Sequence, residues 1–275
     1  MHLALMDAGG VELVAAADGG GWRTVGEAAD VDIVELALAP AQIDLGSLPA
    51  VPDGARLLPP LRPGKIVAIG LNYLDHVRET GMDSPARPLV FAKFPSSVIG
   101  PDDPIVIDPA LSERVDWEVE LGVVIGRSAR HVSTADALDH VAAYTVGNDV
   151  SARDVQFSDG QWVRAKSFDT FCPLGPWLVT ADEIGDPQAL ALKTTVNGEV
   201  VQDSSTSEMV FGVRELIAFC SASFTLDPGD VLLTGTPWGT GEFMNPRRSL
   251  QAGDVVECEV ERIGVLRNPV VERVA

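Results

Sequence analysis

Cysteine is scarce in this chain: Cys172, Cys220 and Cys258 are the only three in 275 residues. An odd, scattered set argues against a disulfide framework and against a thiolate zinc site, and makes a reducing compartment the default. Basic residues are few as well. Twenty Lys and Arg stand against 40 Asp and Glu, a formal charge of -20, and such a field repels phosphate backbones and anionic membranes. Nucleic acid and membrane surfaces are therefore not expected as partners. No window holds the ~18 apolar residues of a spanning helix. The opening Met1-His2-Leu3-Ala4-Leu5-Met6-Asp7 lacks a basic lead-in and a sustained apolar run, so the expected location is the cytoplasm. An anionic substrate would also be repelled, unless a local cation and nearby Lys or Arg overcame the field.

What is present is a normal complement of core-forming residues, 46% hydrophobic, enough for one large unit and a small appendage. Short strands are expected at His2 to Leu5 and Val11 to Ala15. The proline-rich stretch from Pro40 to Pro63 places a boundary near residue 60, dividing a small N-terminal domain (1–60) from the main domain (61–275). Beyond it, Ile66 to Ile69 reads as a buried strand halted by Gly70. Asn72 is a candidate N-cap for a helix from Tyr73 to about Thr80. Further strands are expected at 89–93, 105–107, 117–125 and 141–148, and helices at 134–140 and 213–220. Asn197-Gly198, between apolar runs, is a strong hairpin signal. Strands outnumber helices without regular strand–helix alternation, which predicts an α+β, mainly β fold with mixed sheets.

The most informative stretch is Trp117-Glu118-Val119-Glu120-Leu121. Two carboxylates spaced two apart in a strand project from one face. If Asp149 folds back onto them, three anions converge and repel unless a cation lies between them. Oxygen-only ligands select a hard divalent ion, Mg²⁺ or Mn²⁺. Alternation alone does not distinguish this from a half-solvated strand, because Glu257-Cys258-Glu259-Val260-Glu261 carries the same pattern.

Six ordered blocks supply the context: Gly70-Leu71-Asn72-Tyr73-Leu74-Asp75-His76, Phe91-Ala92-Lys93, Asp116 to Gly122, Asn148 to Asp154, Lys166 to Gly175, and Leu233-Thr234-Gly235-Thr236-Pro237. Together, over about residues 61 to 262, they resemble the fumarylacetoacetate hydrolase superfamily, its acylpyruvase, 2-hydroxyhepta-2,4-diene-1,7-dioate isomerase and ureidoglycolate lyase-like group. The resemblance implies a catalytic domain built as a mixed β-sandwich roll, usually homodimeric, with metal ligands Glu118, Glu120 and Asp149. It also implies an acid–base pair, His76 and Glu79, which share a helix face at a spacing of three. Lys166 would steady enolate charge beside the metal. Lys93, Arg153, Gln156 and Thr236 match positions that contact substrate or the metal shell, and Tyr73 is expected to line the same pocket.

The implied activity is metal-dependent hydrolysis of a carbon–carbon bond in a 2,4-dioxo, acylpyruvate-like acid through a metal-stabilised enolate. The same ligands serve a decarboxylase, an isomerase or tautomerase, or a ureidoglycolate-type lyase, because each needs the same enolate stabilisation. Leu71 bears on the choice: many acylpyruvate-cleaving relatives have Arg there, which can grip a carboxylate. A non-catalytic metabolite-binding module would need the carboxylate cage but not the pair His76 and Glu79.

Overall fold

The computed structural model describes residues 1–18 and 20–274. Its centre is strand Val119–Ile125, buried along its whole length. It pairs antiparallel with Val141–Asn148 on one side and with Val231–Leu233 on the other. Val231–Leu233 pairs parallel with Ile66–Gly70, which pairs antiparallel with Leu89–Lys93. On the far side, Val141–Asn148 pairs with Cys172–Thr180, and that strand pairs with the N-terminal His2–Asp7. Glu12–Ala17 and Arg23–Glu27 follow, and the short strands Arg56–Leu57, on His2–Asp7, and Val98–Ile99, on Cys172–Thr180, complete this mixed sheet of eleven strands. The three N-terminal strands thus extend the same hydrogen-bonded sheet that carries the acidic strand.

A second sheet of five strands runs in the order Glu199–Ser205, Ala191–Val196, Val255–Val260, Gly264–Glu272, Ile105–Ile107. Val119, Leu121, Val123 and Ile125 point towards it and pack in one apolar layer with Leu192, Val256 and Leu266. The opposite face of the large sheet, with Val124 and Leu233, packs on helix Ile33–Leu38 and on Leu58 and Leu61. A strand covered on both faces is expected to be apolar throughout. Glu120 breaks that rule, and a buried acid in such a place needs a specific partner.

Asn197 and Gly198 both take positive φ, 56° and 79°, at the hairpin between Ala191–Val196 and Glu199–Ser205. That is the geometry such a two-residue turn requires. Glu257 and Glu259 face outwards on a strand whose Val256, Cys258 and Val260 are buried, and Lys193 pairs with Glu259 at the surface. The second Glu alternation is therefore the half-solvated strand that the first is not.

Three local expectations change. Helix Leu74–Thr80 begins one residue later than Tyr73, and Tyr73, not Asn72, occupies its N-cap position. The Asn72 amide instead donates to Phe211 O and Thr234 O at 3.0 and 2.8 Å and accepts from Phe211 N. Those bonds brace two distant loops, contacts no local pattern encodes. The stretch expected as a helix at 134–140 is a 3₁₀ turn, Ala137–His140. The 117–125 strand is interrupted: Val115–Asp116 pairs with Ser151–Ala152, and the long strand starts at Val119. Among the described residues no helix is long and apolar enough to cross a membrane.

Leu266 is fully buried between the sheets. Leu266→Ala should lower stability by about 2–5 kcal/mol, measured as a lower urea midpoint with an unchanged slope.

Candidate active site

Register places the carboxylates. Val119 lies opposite Asn148. One step on, Asp149 N donates to Glu118 O at 2.9 Å while Asn148 Oδ1 accepts from Glu118 N at 3.0 Å. The interruption before Val119 thus sets Asp149 directly across from Glu118. Glu120 sits opposite Gly147, where a Cβ would come within 2.6 Å of Leu233. The acceptor oxygens of Glu118, Glu120 and Asp149 lie within 4.8 Å of one another, and all three residues are buried.

Cations surround the trio unevenly. Lys93, at the end of its strand, donates to Asp149 Oδ1 at 2.6 Å and also reaches the carbonyls of Val150 and Lys166. Lys166 donates to Glu118 Oε2 at 2.5 Å and Asp149 Oδ2 at 2.8 Å. Arg153 opens helix Arg153–Asp159. Its Nη2 lies 2.6 Å from Glu118 Oε1 and 2.8 Å from Asp116 Oδ2, off the hydrogen-bonding direction, so these contacts are chiefly Coulombic. Burial alone would raise the Glu118 carboxyl, but Arg153 and Lys166 outweigh it and hold it at about 2. The Lys166 ammonium is likewise desolvated, yet Asp149 and Glu118 keep it firmly protonated.

Glu120 has no direct ion pair, and the more distant Lys166 offsets its burial only in part. Glu120 accepts one hydrogen bond, from Gly235 N at 2.8 Å. Burial, and then the neighbouring Asp149 and Glu118, push its carboxyl well above the ordinary range. Four buried carboxylates (Asp116, Glu118, Glu120, Asp149) face three buried cations (Lys93, Arg153, Lys166). The cluster is one positive charge short. Three carboxylate donors around an under-compensated Glu120 fit a hard divalent ion bound by Glu118, Glu120 and Asp149, with coordination positions left for substrate.

Beside the cage is a cavity of about 250 Å³. His76, Glu118, Glu120, Arg153, Gln156, Lys166 and Thr236 form its polar side, and Leu71, Leu89, Phe91, Phe157, Trp162 and Phe243 its apolar side. His76 lies on helix Leu74–Thr80, which Asp75 steadies by accepting from His76 N at 2.7 Å. His76 Nδ1 is 2.7 Å from Glu79 Oε2. A carboxylate only accepts, so Nδ1 carries a proton, which in the neutral ring leaves Nε2 as the acceptor nitrogen. Gly239 N donates to Glu79 Oε1 at 2.8 Å, and Phe243 stands edge-on to the imidazole. Gln202 holds the Thr236 hydroxyl at 2.9 Å. Size alone does not mark the site: a more open groove of about 840 Å³ near Thr134, Gln188 and Arg214 contains none of the converging carboxylates.

One expected position differs. Tyr73 is wholly buried and does not line the cavity; its ring packs in the core between the sheets. Lys93 is not among the cavity-lining residues, but its ammonium bonds Asp149, one of the expected metal ligands, and two carbonyls. Asp116, not singled out beforehand, is a hub that accepts from Arg153 Nε, Gly241 N and Glu242 N. Its spacing, two residues before Glu118, was the available signal.

The family model for the fumarylacetoacetate (FAA) hydrolase C-terminal region matches residues 65–271. Mitochondrial oxaloacetate tautomerase Fahd2a of Rattus norvegicus is 49% identical over 241 residues, 86% of this chain and 77% of that protein. Mitochondrial oxaloacetate tautomerase fahd2 of Xenopus laevis is 52% identical over 217 residues, 78% and 68% of the two chains. Among solved structures, a fumarylacetoacetate hydrolase from Exiguobacterium antarcticum superposes with a TM-score of 0.90 at 36% identity, over 99% of this chain and 100% of that one. The 2-hydroxyhepta-2,4-diene-1,7-dioate isomerase of Mycobacterium marinum superposes at 0.80 with 37% identity, covering 100% of both.

In metal-free protein the raised Glu120 carboxyl means that the native state binds a proton more tightly than the unfolded chain. Stability therefore falls as pH rises above the ordinary glutamate range. Glu118 acts oppositely, losing its contribution only as pH falls from the ordinary range towards about 2. Glu120→Gln should hence leave the Tm in EDTA at neutral pH equal to or above wild type. It should also erase the gain from Mg²⁺ or Mn²⁺, which for wild type is about 2.7 kcal/mol at one hundred times Kd. A full metal-induced shift in this variant would contradict the cage.

Proposed function

This chain belongs to the fumarylacetoacetate hydrolase family, and on that premise we propose that it interconverts the keto and enol forms of a short 2-oxo acid with the help of Mg²⁺ or Mn²⁺. The observation that carries the reading is the charge balance of the cage. One negative charge in excess becomes one positive charge once a divalent ion is counted, which creates a local anion site inside a strongly acidic protein. A 2-oxo carboxylate is the ligand such a site suits. The cavity volume of about 250 Å³ lies below the range of drug-sized ligand pockets and fits a small acid.

When bound, the ion would supply Lewis acidity to the 2-oxo group. His76 lines the cavity, and as a neutral imidazole with Nδ1 bonded to Glu79 it takes the proton from the carbon next to the oxo group on Nε2. Glu79, fixed by Gly239 N, stabilises the imidazolium that forms. Lys166 donates to the developing enolate oxygen from a desolvated position, where a charged hydrogen bond is strong. The proton held on Nε2 returns to carbon or oxygen, so neither water nor a leaving group is required. The names of the relatives, oxaloacetate tautomerases and a diene-dioate isomerase, support this class of reaction.

Carbon–carbon hydrolysis of an acylpyruvate is the second reading, and one feature favours it. Leu89, Phe157 and Phe243 stay 46, 57 and 39% exposed at the cavity wall, an apolar surface that suits an acyl tail. There the pair His76 and Glu79 would activate water for attack on the distal carbonyl. A pure binding module would have no use for the pair.

The two enzymatic readings separate on product. Wild-type protein with Mg²⁺ or Mn²⁺ should accelerate decay of the enol absorbance of oxaloacetate without loss of carbon, and EDTA should abolish this. Release of pyruvate from an acylpyruvate faster than enol decay would select the hydrolase. His76→Gln should lower kcat by about 10²–10⁴-fold while calorimetric Mn²⁺ affinity is retained. Unchanged kcat would remove His76 from the chemistry.

A further inference from the structure

The acid–base pair and the carboxylate cage sit on separate parts of the chain, and one buried carboxylate reaches towards both. Asp116 is 1% exposed. Its Oδ1 accepts from Trp117 N at 2.9 Å and Gly241 N at 2.8 Å. Its Oδ2 accepts from Glu242 N at 3.1 Å and Arg153 Nε at 2.8 Å. One arm of this arrangement leads to the cage, because Arg153 lies 2.6 Å from Glu118 Oε1. The other leads to the pair: the turn held by Gly241 N and Glu242 N begins at Gly239, whose N–H fixes Glu79 Oε1 at 2.8 Å, and it carries Phe243 against the His76 ring.

The turn has little freedom elsewhere. A Cβ on Gly241 would fall 2.2 Å from Arg248 O and 2.9 Å from Asp116 Oδ1, so backbone approaches the carboxylate as closely as it can. Trp117 Nε1, on the residue after Asp116, donates to Gly239 O at 3.1 Å. On the outside, Arg114 clamps the Glu242 side chain through both Nε and Nη2.

We propose that Asp116 is a positioning residue that fixes His76 and Glu79 relative to the metal-binding carboxylates, by holding Arg153 with one oxygen and the 239–244 turn with both. This rests on the role given above to His76 and Glu79. Asp116 touches neither the cavity nor the expected ligand positions. Its effect is on distance and orientation, which proton transfer from carbon depends on steeply.

Asp116→Asn tests it, since an amide turns an N–H group towards donors that need an acceptor. Two readouts apply. The first is the downfield proton resonance of His76 Nδ1–H, assigned by its absence in His76→Gln and read without turnover. The second is kcat against KM for the enol substrate. The expected result is loss of that resonance and a fall in kcat of about 10–100-fold with KM within about twofold. Arg114→Gln loosens the turn from its solvent side and should shift both readouts in the same direction by less. Should Asp116→Asn fail to fold, Arg114→Gln decides. An unchanged resonance and unchanged kcat in a folded variant overturn the proposal. A wild-type protein inert towards 2-oxo acids, with the resonance present and then lost in Asp116→Asn, would refute the activity while supporting the positioning.

Discussion

Four carboxylates buried in one corner of a β-sheet constrain everything around them. Charges removed from water are costly, and breaking one buried pair strands the other partner. The structure meets this cost with Lys93 on Asp149, Lys166 between Asp149 and Glu118, and Arg153 between Glu118 and Asp116. Glu120 alone receives only a backbone N–H. An apolar residue there would serve stability better, so the arrangement is one kept for binding and chemistry.

The fold makes this corner by arranging strand ends. Glu118 and Asp149 meet where the ladder between Val119–Ile125 and Val141–Asn148 stops. Lys93 ends a strand, and Asn72 links the loop after Ile66–Gly70 to the loop after Val231–Leu233. Side chains at strand ends can converge on a cavity while their backbones stay locked in the sheet. The pair His76 and Glu79 is different: it rides on a helix of seven residues and depends on the 239–244 turn for its second anchor. On the proposed reading, tautomerisation, isomerisation and hydrolysis would share a rigid anion site and differ in what the imidazole acts upon.

The sequence carried the mainly β fold and the hairpin at Asn197-Gly198, because turn chemistry and alternation are local properties. It also carried the trio Glu118, Glu120 and Asp149, and the spacing of His76 and Glu79. It could not separate Glu118-Val119-Glu120 from Glu257-Cys258-Glu259 by periodicity. The difference is that one strand is covered on both faces and the other on one, and coverage is a property of the neighbours.

Tertiary structure alone decided which way the remaining polar side chains are used. Tyr73 and Lys93 point into the interior, Asn72 bridges loops instead of capping a helix, and Asp116 gathers donors from residues more than a hundred positions away. Each assignment follows from hydrogen-bond partners brought together by sheet register. A residue's own neighbours in the chain determine what it can donate or accept, whereas only the folded chain determines who is there to receive it.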